Sequence, residues 1–447
     1  MSTKPYPNYK SCDIEGVHTI PESWEVNRVC DIVTLVNGFP FDSDLFNRFE
    51  GVPLVRIRDL NSTSTETYFG GSVVAKAIVT SADVLIGMDG DFNVGRWLGE
   101  GDALLNQRMC CLRGPSDVTR LLEYALSNPL RRINDVTYST TVKHLSSGQV
   151  KKIRVALPAT TSQRREVADF LDRETAKIDA LVVEQERLLV LLAEKRQAVI
   201  SRAVTQGLDP SVAMKDSGVE WLGRVPAHWS VTSLNGARAP GSTITYGIVQ
   251  AGPDVEGGVP YIRTSDMSGF DLAVEGYLRT TSEIAAAYDR SRVEEGDLVV
   301  AIRATVGKTL IVPSQLAGAN LTQGTAKVSP DKSIIADFLF YVLNSALAQQ
   351  QFSAISKGVT FKEITLEALR KFKVPRPSVA EQLEIISHLK SRLAVLDDLT
   401  SEATQASRLL RERRAALVSA AVTGKIDVRG LVPTREPEAL ESTREAA

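Results

Sequence analysis

Few residues of this chain have the types and spacing that chemistry requires. Gly307-Lys308-Thr309 matches the end of a phosphate-binding loop, but Ile302 stands where the leading glycine belongs. Without that glycine the backbone amides cannot cradle phosphates, and a loop between strands is expected instead. Asn128-Pro129-Leu130-Arg131 lacks the second proline and the aromatic with which an amino-methyltransferase stacks a flipped base. Asp89-Gly90-Asp91 suits a turn better than a metal site. The four cysteines (Cys12, Cys30, Cys110, Cys111) form no Cys-x-x-Cys pair and the four histidines are scattered, so neither set has zinc-ligand spacing. No Gly-x-Ser-x-Gly and no Ser/His/Asp constellation stands out. Nothing here calls for catalysis, a metal or a cofactor on this chain.

The elements that carry these residues are those of a globular protein. With 447 residues, more than one core is expected. The composition, 43% apolar and 24% charged, is neither disordered nor membrane-spanning, and no stretch approaches ~18 uninterrupted apolar residues. The amino terminus has no apolar signal region, so a cytoplasmic protein with reduced thiols is expected. The net charge is −2. Residues 1–158 carry 17 basic and 18 acidic side chains and residues 206–377 carry 17 of each, so no domain is net basic. A polyanion would have to be gripped by local basic loops or with a partner's help.

An internal duplication organises the chain. Lys10, Ile14-Glu15 and Ile20-Pro21-x-x-Trp24 return as Lys215, Val219-Glu220 and Val225-Pro226-x-x-Trp229. Val52-Pro53-x-x-Arg56-x-x-Asp59 returns as Val259-Pro260-x-x-Arg263-x-x-Asp266, and Asp83-Val-Leu-Ile as Asp297-Leu-Val-Val. Tyr124-Ala-Leu126 matches Tyr341-Val-Leu343, and Thr141-Val-Lys143-His-Leu145 matches Thr360-Phe-Lys362-Glu-Ile364. Lys195-Arg196 and Val204-Thr205-x-x-Leu208-Asp209 match Arg413-Arg414 and Val422-Thr423-x-x-Ile426-Asp427.

Each copy has two parts. The first mixes short β-branched runs (73–79, 299–302, 310–312) with turn clusters and one or two helices, such as 119–127 and 334–351, which reads as an α+β domain. The second is a long helix. Residues 161–205 and 378–423 contain neither Gly nor Pro, prolines precede both stretches, and Gly207 and Gly424 follow them. Thr160-x-x-Gln163 and Ser378-x-x-Glu381 fit capping boxes. Steps of four and three trace a coiled-coil stripe through Val167, Leu171, Ile178, Leu181, Leu188, Leu192 and Val199, interrupted by polar Gln185 and Lys195. A second passes through Ile386, Leu389, Leu393, Leu396, Leu410 and Leu417, with Arg414 in line. Such stripes should bury each other, with the polar members either fixing register or facing a partner subunit. The segmentation expected is a domain over 1–158, a helix over 159–208, a domain over 209–377, a helix over 378–429 and a disordered tail over 430–447.

Particular segments resemble one family. They are Gln163-Arg-Arg-Glu-Val-Ala-Asp-Phe-Leu-Asp-Arg-Glu-Thr-Ala-Lys-Ile-Asp179, Glu194-Lys-Arg-Gln-Ala-Val-Ile-Ser201, Ser217-Gly-Val-Glu-Trp-Leu-Gly223 leading into Val225-Pro-Ala-His-Trp229, and Asp83-Val-Leu-Ile-Gly-Met-Asp-Gly-Asp-Phe-Asn93. From about residue 10 to 429 the chain is similar to the DNA-specificity subunit of type I restriction–modification systems. The resemblance implies two target-recognition domains separated by two long antiparallel helices with pseudo-two-fold symmetry, and no catalytic centre. It implies double-stranded DNA as partner, with two methyltransferase subunits carrying S-adenosylmethionine and two restriction subunits carrying ATP and magnesium. Two unlike readers imply a bipartite, asymmetric target.

The duplication sorts the candidate DNA contacts. Residues repeated in both copies cannot read different bases in the same way, so Arg56/Arg263 and Lys143/Lys362 are expected to be structural or to touch phosphate. Basic residues without a counterpart are the candidates for reading bases: Arg108 and His144 in the first copy, Arg303, Lys308 and Lys357 in the second, arginine being favoured because its fork fits guanine. The main rival reading is a coiled-coil scaffold whose domains bind other proteins. A single-chain restriction–methylation enzyme would need motor or methyltransferase signatures that this sequence lacks.

Overall fold

The computed structural model describes residues 4–137, 142–358 and 362–431, so Thr141, Thr360 and most of the expected tail, from 432 on, lie outside the described residues. The chain divides into two compact units: Met1–Gln185 with Ala406–Ala447, and Glu186–Gln405. Each unit therefore holds one globular domain, part of one long helix and part of the other.

The first unit opens with a hairpin of Tyr9–Ile14 and Val17–Pro21. Its central antiparallel sheet runs in the order Val94–Gly95, Val84–Gly87, Met109–Arg113, Thr34–Asn37. Val84–Gly87 is buried throughout, as its unbroken apolar run requires. A second sheet contains a parallel pair, Val52–Val55 beside Ala103–Leu105. Helices Ser116–Ala125 and Ser127–Val136 follow, and Arg154–Pro158, paired with Trp24–Arg28, leads into the first long helix, Thr161–Gln206.

The second unit repeats this order. Met214–Asp216 pairs with Arg224–Pro226. The central sheet runs Thr245–Tyr246, Thr325–Val328, Leu298–Ala301, Thr309–Ile311, and Val259–Ile262 lies parallel to Asn320–Leu321. Helices Ala336–Leu343 and Ala346–Ile355 stand where one helix over 334–351 was expected; Ser345 breaks it by capping the second through the Ala348 amide. Lys373–Arg376, paired with Ser230–Ser233, leads into Val379–Val422. In the first unit the run at 73–79 is a strand only at Ile78–Val79, behind a 3-10 turn at Ala75–Ala77.

Within each unit the long helices run antiparallel. In the first, Val167, Phe170 and Leu171 share a core with Val418 and Ala421, as well as Ile20, Trp24 and Leu112. In the second, Leu192, Ile200 and Val204 share one with Ile386, Leu389, Leu393 and Leu396, as well as Trp229, Val300 and Phe338. Arg414 pairs with Asp179 at 2.7 Å in the first unit, and Arg196 with Asp397 in the second. The duplication matches Arg196 to Arg414 and Asp179 to Asp397, so one interhelix ion pair occurs twice.

Val167, Leu171, Ile178, Leu192, Ile386, Leu389, Leu393 and Leu396 are buried, and Val199, Leu410 and Leu417 are half-buried. Leu181 and Leu188 are not on the stripe: they are 51% and 40% exposed. The physical reason is helical period. At 100° per residue, Leu181 lies about 60° and Leu188 about 80° from Ile178, whereas Val182 and Leu189 lie about 40° and 20° away. Val182, Gln185 and Leu189 are the half-buried positions, and Lys195 is exposed while Arg196, five whole turns from Ile178, faces the partner helix.

Both helices start as capped turns. Thr160 Oγ1 accepts from the Gln163 amide (3.3 Å) and Ser378 Oγ from the Glu381 amide (3.3 Å). The reciprocal half of the second box is diverted, because Glu381 accepts from Trp229 Nε1 (2.9 Å) and lies 3.0 Å from His228 Nε2. At the other ends Gly207 and Gly424 have φ of +75° and +67°, and a Cβ on Gly424 would collide with the Pro21 ring. Among the described residues no helix is long and apolar enough to cross a membrane.

Candidate functional site

In each unit the buried central strand, Val84–Gly87 or Leu298–Ala301, ends in a turn carrying charged residues, and a returning segment pairs with that turn. In the first unit the Leu145 amide donates to Met88 O (2.7 Å) and the Gly90 amide to Lys143 O (3.1 Å), while the Met88 amide reaches across to Arg108 O (2.9 Å). This backbone frame brings Arg108, Lys143 and His144 together. Asp89 is their hub: Oδ2 accepts from Arg108 Nη1 at 2.9 Å and Oδ1 lies 2.7 Å from His144 Nδ1. Arg108 and His144 are exposed and Asp89 is largely covered. Lys143 turns aside, donating to Asn134 O (2.6 Å) and Oδ1 (3.0 Å), and Asn134 in turn reaches Gly90 O.

In the second unit the Ile364 amide donates to Ile302 O (2.9 Å) and the Ile302 amide to Gly324 O (2.9 Å). Arg303 Nη2 donates to Glu363 Oε1 at 3.0 Å, and Lys357 exchanges both backbone hydrogen bonds with Glu363 (2.9 Å each). Lys362 Nζ is 3.4 Å from Ser353 Oγ, and Lys308 Nζ donates to Ser268 O (2.9 Å). A cleft of about 390 Å³ lies beside Arg303, with Thr305, Lys308, Gln349, Ser353, Ser356 and Lys362 in its wall and no carboxylate among the described residues that line it. Lys308 thus sits on an open cleft beyond the strand pair, as expected of an inter-strand loop.

The paired arginines Arg56 and Arg263 stand at the matching 3-10 turns. Each backbone amide donates to the third following aspartate, Asp59 (2.9 Å) or Asp266 (2.8 Å). Arg263 folds back on Asp266 through Nε (3.0 Å) and Nη2 (2.7 Å), a bond that raises its already high pKa. Arg56 lies over the Phe46 ring at 5.2 Å instead. Both are committed within the domain. Thr264 Oγ1 donates to Gly324 O (3.1 Å), so the Arg263 turn backs the Arg303 site.

Asp89 and Glu363 were not among the residues picked from sequence. Extending the Asp83/Asp297 match six residues would have set Asp89 against Arg303, and the Lys143/Lys362 match sets His144 against Glu363. Opposite charges at matched positions were the signal. Among the described residues no group of three His, Cys, Asp or Glu is placed to hold a metal.

The chain matches the model of the type I restriction modification DNA specificity domain twice, over residues 21–187 and 250–406. It is 32% identical over 422 residues to the type I restriction enzyme EcoBI specificity subunit of Escherichia coli, covering 93% of this chain and 88% of that one. It is 22% identical to the MjaVIII specificity subunit of Methanocaldococcus jannaschii, covering 95% and 98%. Two solved folds are similar. One, from work on assembly and conformational transition of the type I R-M system, has a TM-score of 0.68 at 17% identity, covering 91% of this chain and 99% of that one. The HsdS subunit of Thermoanaerobacter tengcongensis gives 0.51 at 15% identity, covering 92% and 100%. The two matched domains, each leading into a long helix, place this chain in the type I restriction–modification DNA specificity family.

Proposed function

We propose that this chain is the sequence-specific DNA-binding subunit of a type I restriction–modification complex. Each globular domain reads one half of a bipartite, asymmetric target, and the helices set the unread gap and dock methyltransferase subunits. The observation that carries this reading is the interhelix ion pair made twice, Arg414–Asp179 and Arg196–Asp397, at positions the duplication matches. Ion pairs that exchange partners between matched positions of the two helices suit half-sites facing opposite ways on a duplex. The near-neutral charge of both domains supports partners that share the phosphate attraction. Exposed apolar side chains on the helices support docking: Leu181 and Val183 in the first unit, and Leu188, Val190, Leu191, Val395 and Leu399 in the second.

The complex proposed has two methyltransferase subunits and two ATP-driven restriction subunits and acts on double-stranded DNA in the cytoplasm. S-adenosylmethionine, ATP and magnesium belong to those partners. Mapping methylated sites in cells that carry the whole operon tests the reading. One heptad inserted into each long helix adds ~10 Å, about three base pairs. The expected outcome is the same two half-sites with a gap about three base pairs longer. Altered half-sites with the old gap would reject the ruler, and methylation without any bipartite motif would favour a scaffold.

A further inference from the structure

Three backbone hydrogen bonds around the two central strands recur in both units. The Gly87 amide donates to Asn93 O as Ala301 does to Lys308 O (2.9 and 2.8 Å). Met88 reaches Arg108 O as Ile302 reaches Gly324 O, and Leu145 reaches Met88 O as Ile364 reaches Ile302 O. Asp89 bridges His144 where Arg303 bridges Glu363. Three positions are therefore shared, and they carry Asp89, Arg108 and His144 in one unit but Arg303, Gly324 and Glu363 in the other. The backbone is kept while every side chain is exchanged. Structural positions in this duplication behave differently, as Trp24/Trp229 and Asp83/Asp297 show.

The turn itself is under tension. Gly90 has φ of +78° and its counterpart Ala304 has +60°. Among the described residues three non-glycines have positive φ, and two of them, Phe92 and Ala304, lie in these turns. Such strain gathers where geometry is held for a ligand.

We propose that these three matched positions are the specificity-determining platform of each domain, an inference that rests on the DNA-reading function above. Arg108 and Arg303 are the base-reading groups; Asp89 and Glu363 are positioning residues that hold each guanidinium edge-on to a guanine in the major groove. The acids each engage one terminal nitrogen, Nη1 of Arg108 and Nη2 of Arg303, which leaves donors of the fork for O6 and N7. Arg108 springs from the neighbouring segment and Arg303 from the turn, so the two forks start about one strand spacing, ~5 Å, apart on a common frame. One scaffold thereby addresses different steps of a half-site. An arginine at Gly324 in the second unit would bring its Cβ to 2.5 Å from Thr264 Oγ1 and force that hydroxyl off Gly324 O.

The test uses the assembled methyltransferase complex, read by methylated-site sequencing and by binding to duplexes carrying each base at each half-site position. Asp89→Asn should relax discrimination by about tenfold at one position of one half-site, and Glu363→Gln should do so in the other half only. The triple exchange Asp89→Arg, Arg108→Gly, His144→Glu should change the preferred base within the half that Asp89→Asn relaxed. Continued reading of the untouched half reports a folded complex in each case. Unchanged motifs in both single variants, equal weakening on all DNA, or loss of both halves together would overturn the platform. A native complex with no sequence preference at all would instead overturn the DNA-reading function beneath it.

Discussion

Trp24 and Trp229 occupy the same turn of the repeated scaffold, both fully buried against the start of a long helix, yet their polar ends fare differently. Trp229 Nε1 donates to Glu381, which also meets His228. In the first unit the matched residue is Gln163; its Oε1 and Trp24 Nε1 are both buried without a hydrogen-bond partner, and Trp24 packs edge-on to Tyr6 at 6.0 Å. The contrast teaches that duplication preserved shape at this joint while polar satisfaction diverged. The same happened at the reading turn, where backbone bonds persisted and charges changed places. Apolar volume and backbone pairing constrain a repeat more tightly than the polar atoms placed on it.

The sharpest way to break the comparison is to damage one unit and watch the other. Leu171 and Leu389 are matched and fully buried. Leu171→Ala should cost the first unit ~2–5 kcal/mol and Leu389→Ala the second, while Leu181→Ala costs under ~1 kcal/mol. Thiol labelling reads this directly, because all four cysteines lie in the first unit. Cys110 and Cys111 are buried and burial pushes both thiols up to about 12, so at neutral pH they stay protonated and react only after that unit opens. Leu171→Ala should speed their labelling and Leu389→Ala should not; equal acceleration would mean that the units do not open separately.

A smaller effect sharpens the tryptophan contrast. Trp229→Phe removes the indole donor from Glu381, which keeps His228 beside it, so it should cost about 1 kcal/mol more than Trp24→Phe, whose indole nitrogen has no partner to lose. Hydrogen exchange at the adjoining helix starts measures both, and equal losses would refute the distinction. Smallest of all, Arg414→Ala and Arg196→Ala should each cost under ~1 kcal/mol in denaturant melts, since the pairs are partly exposed. A larger loss in one would show that its pair does more than align the helices.

The repeat, the helix ends and the second helix's stripe were legible because Gly, Pro and apolar spacing report backbone geometry directly. The helices begin and end within a few residues of their punctuation. Leu181 and Leu188 were misplaced because a 3.5-residue count drifts off a 3.6-residue helix, and Arg196 was passed over for Lys195 by the same error. Arg108, His144 and Arg303 were legible as unmatched basic residues. Asp89 and Glu363 were signalled only by opposite charges at matched positions, and their pairing with Arg108 and Arg303 shows only once distant segments of the chain meet.

The second unit is one unbroken stretch, Glu186–Gln405, whereas the first closes only when the last residues return to it: Tyr9 Oη donates to Gly424 O at 2.9 Å and the Asp427 amide to Lys4 O at 2.8 Å. On the ribosome, where the chain emerges amino end first, the domain made second has all its parts before the domain made first. The earlier half must wait, incomplete, for the second long helix to be synthesised, and its closing contacts join residues as far as 415 positions apart, a separation that slows their formation.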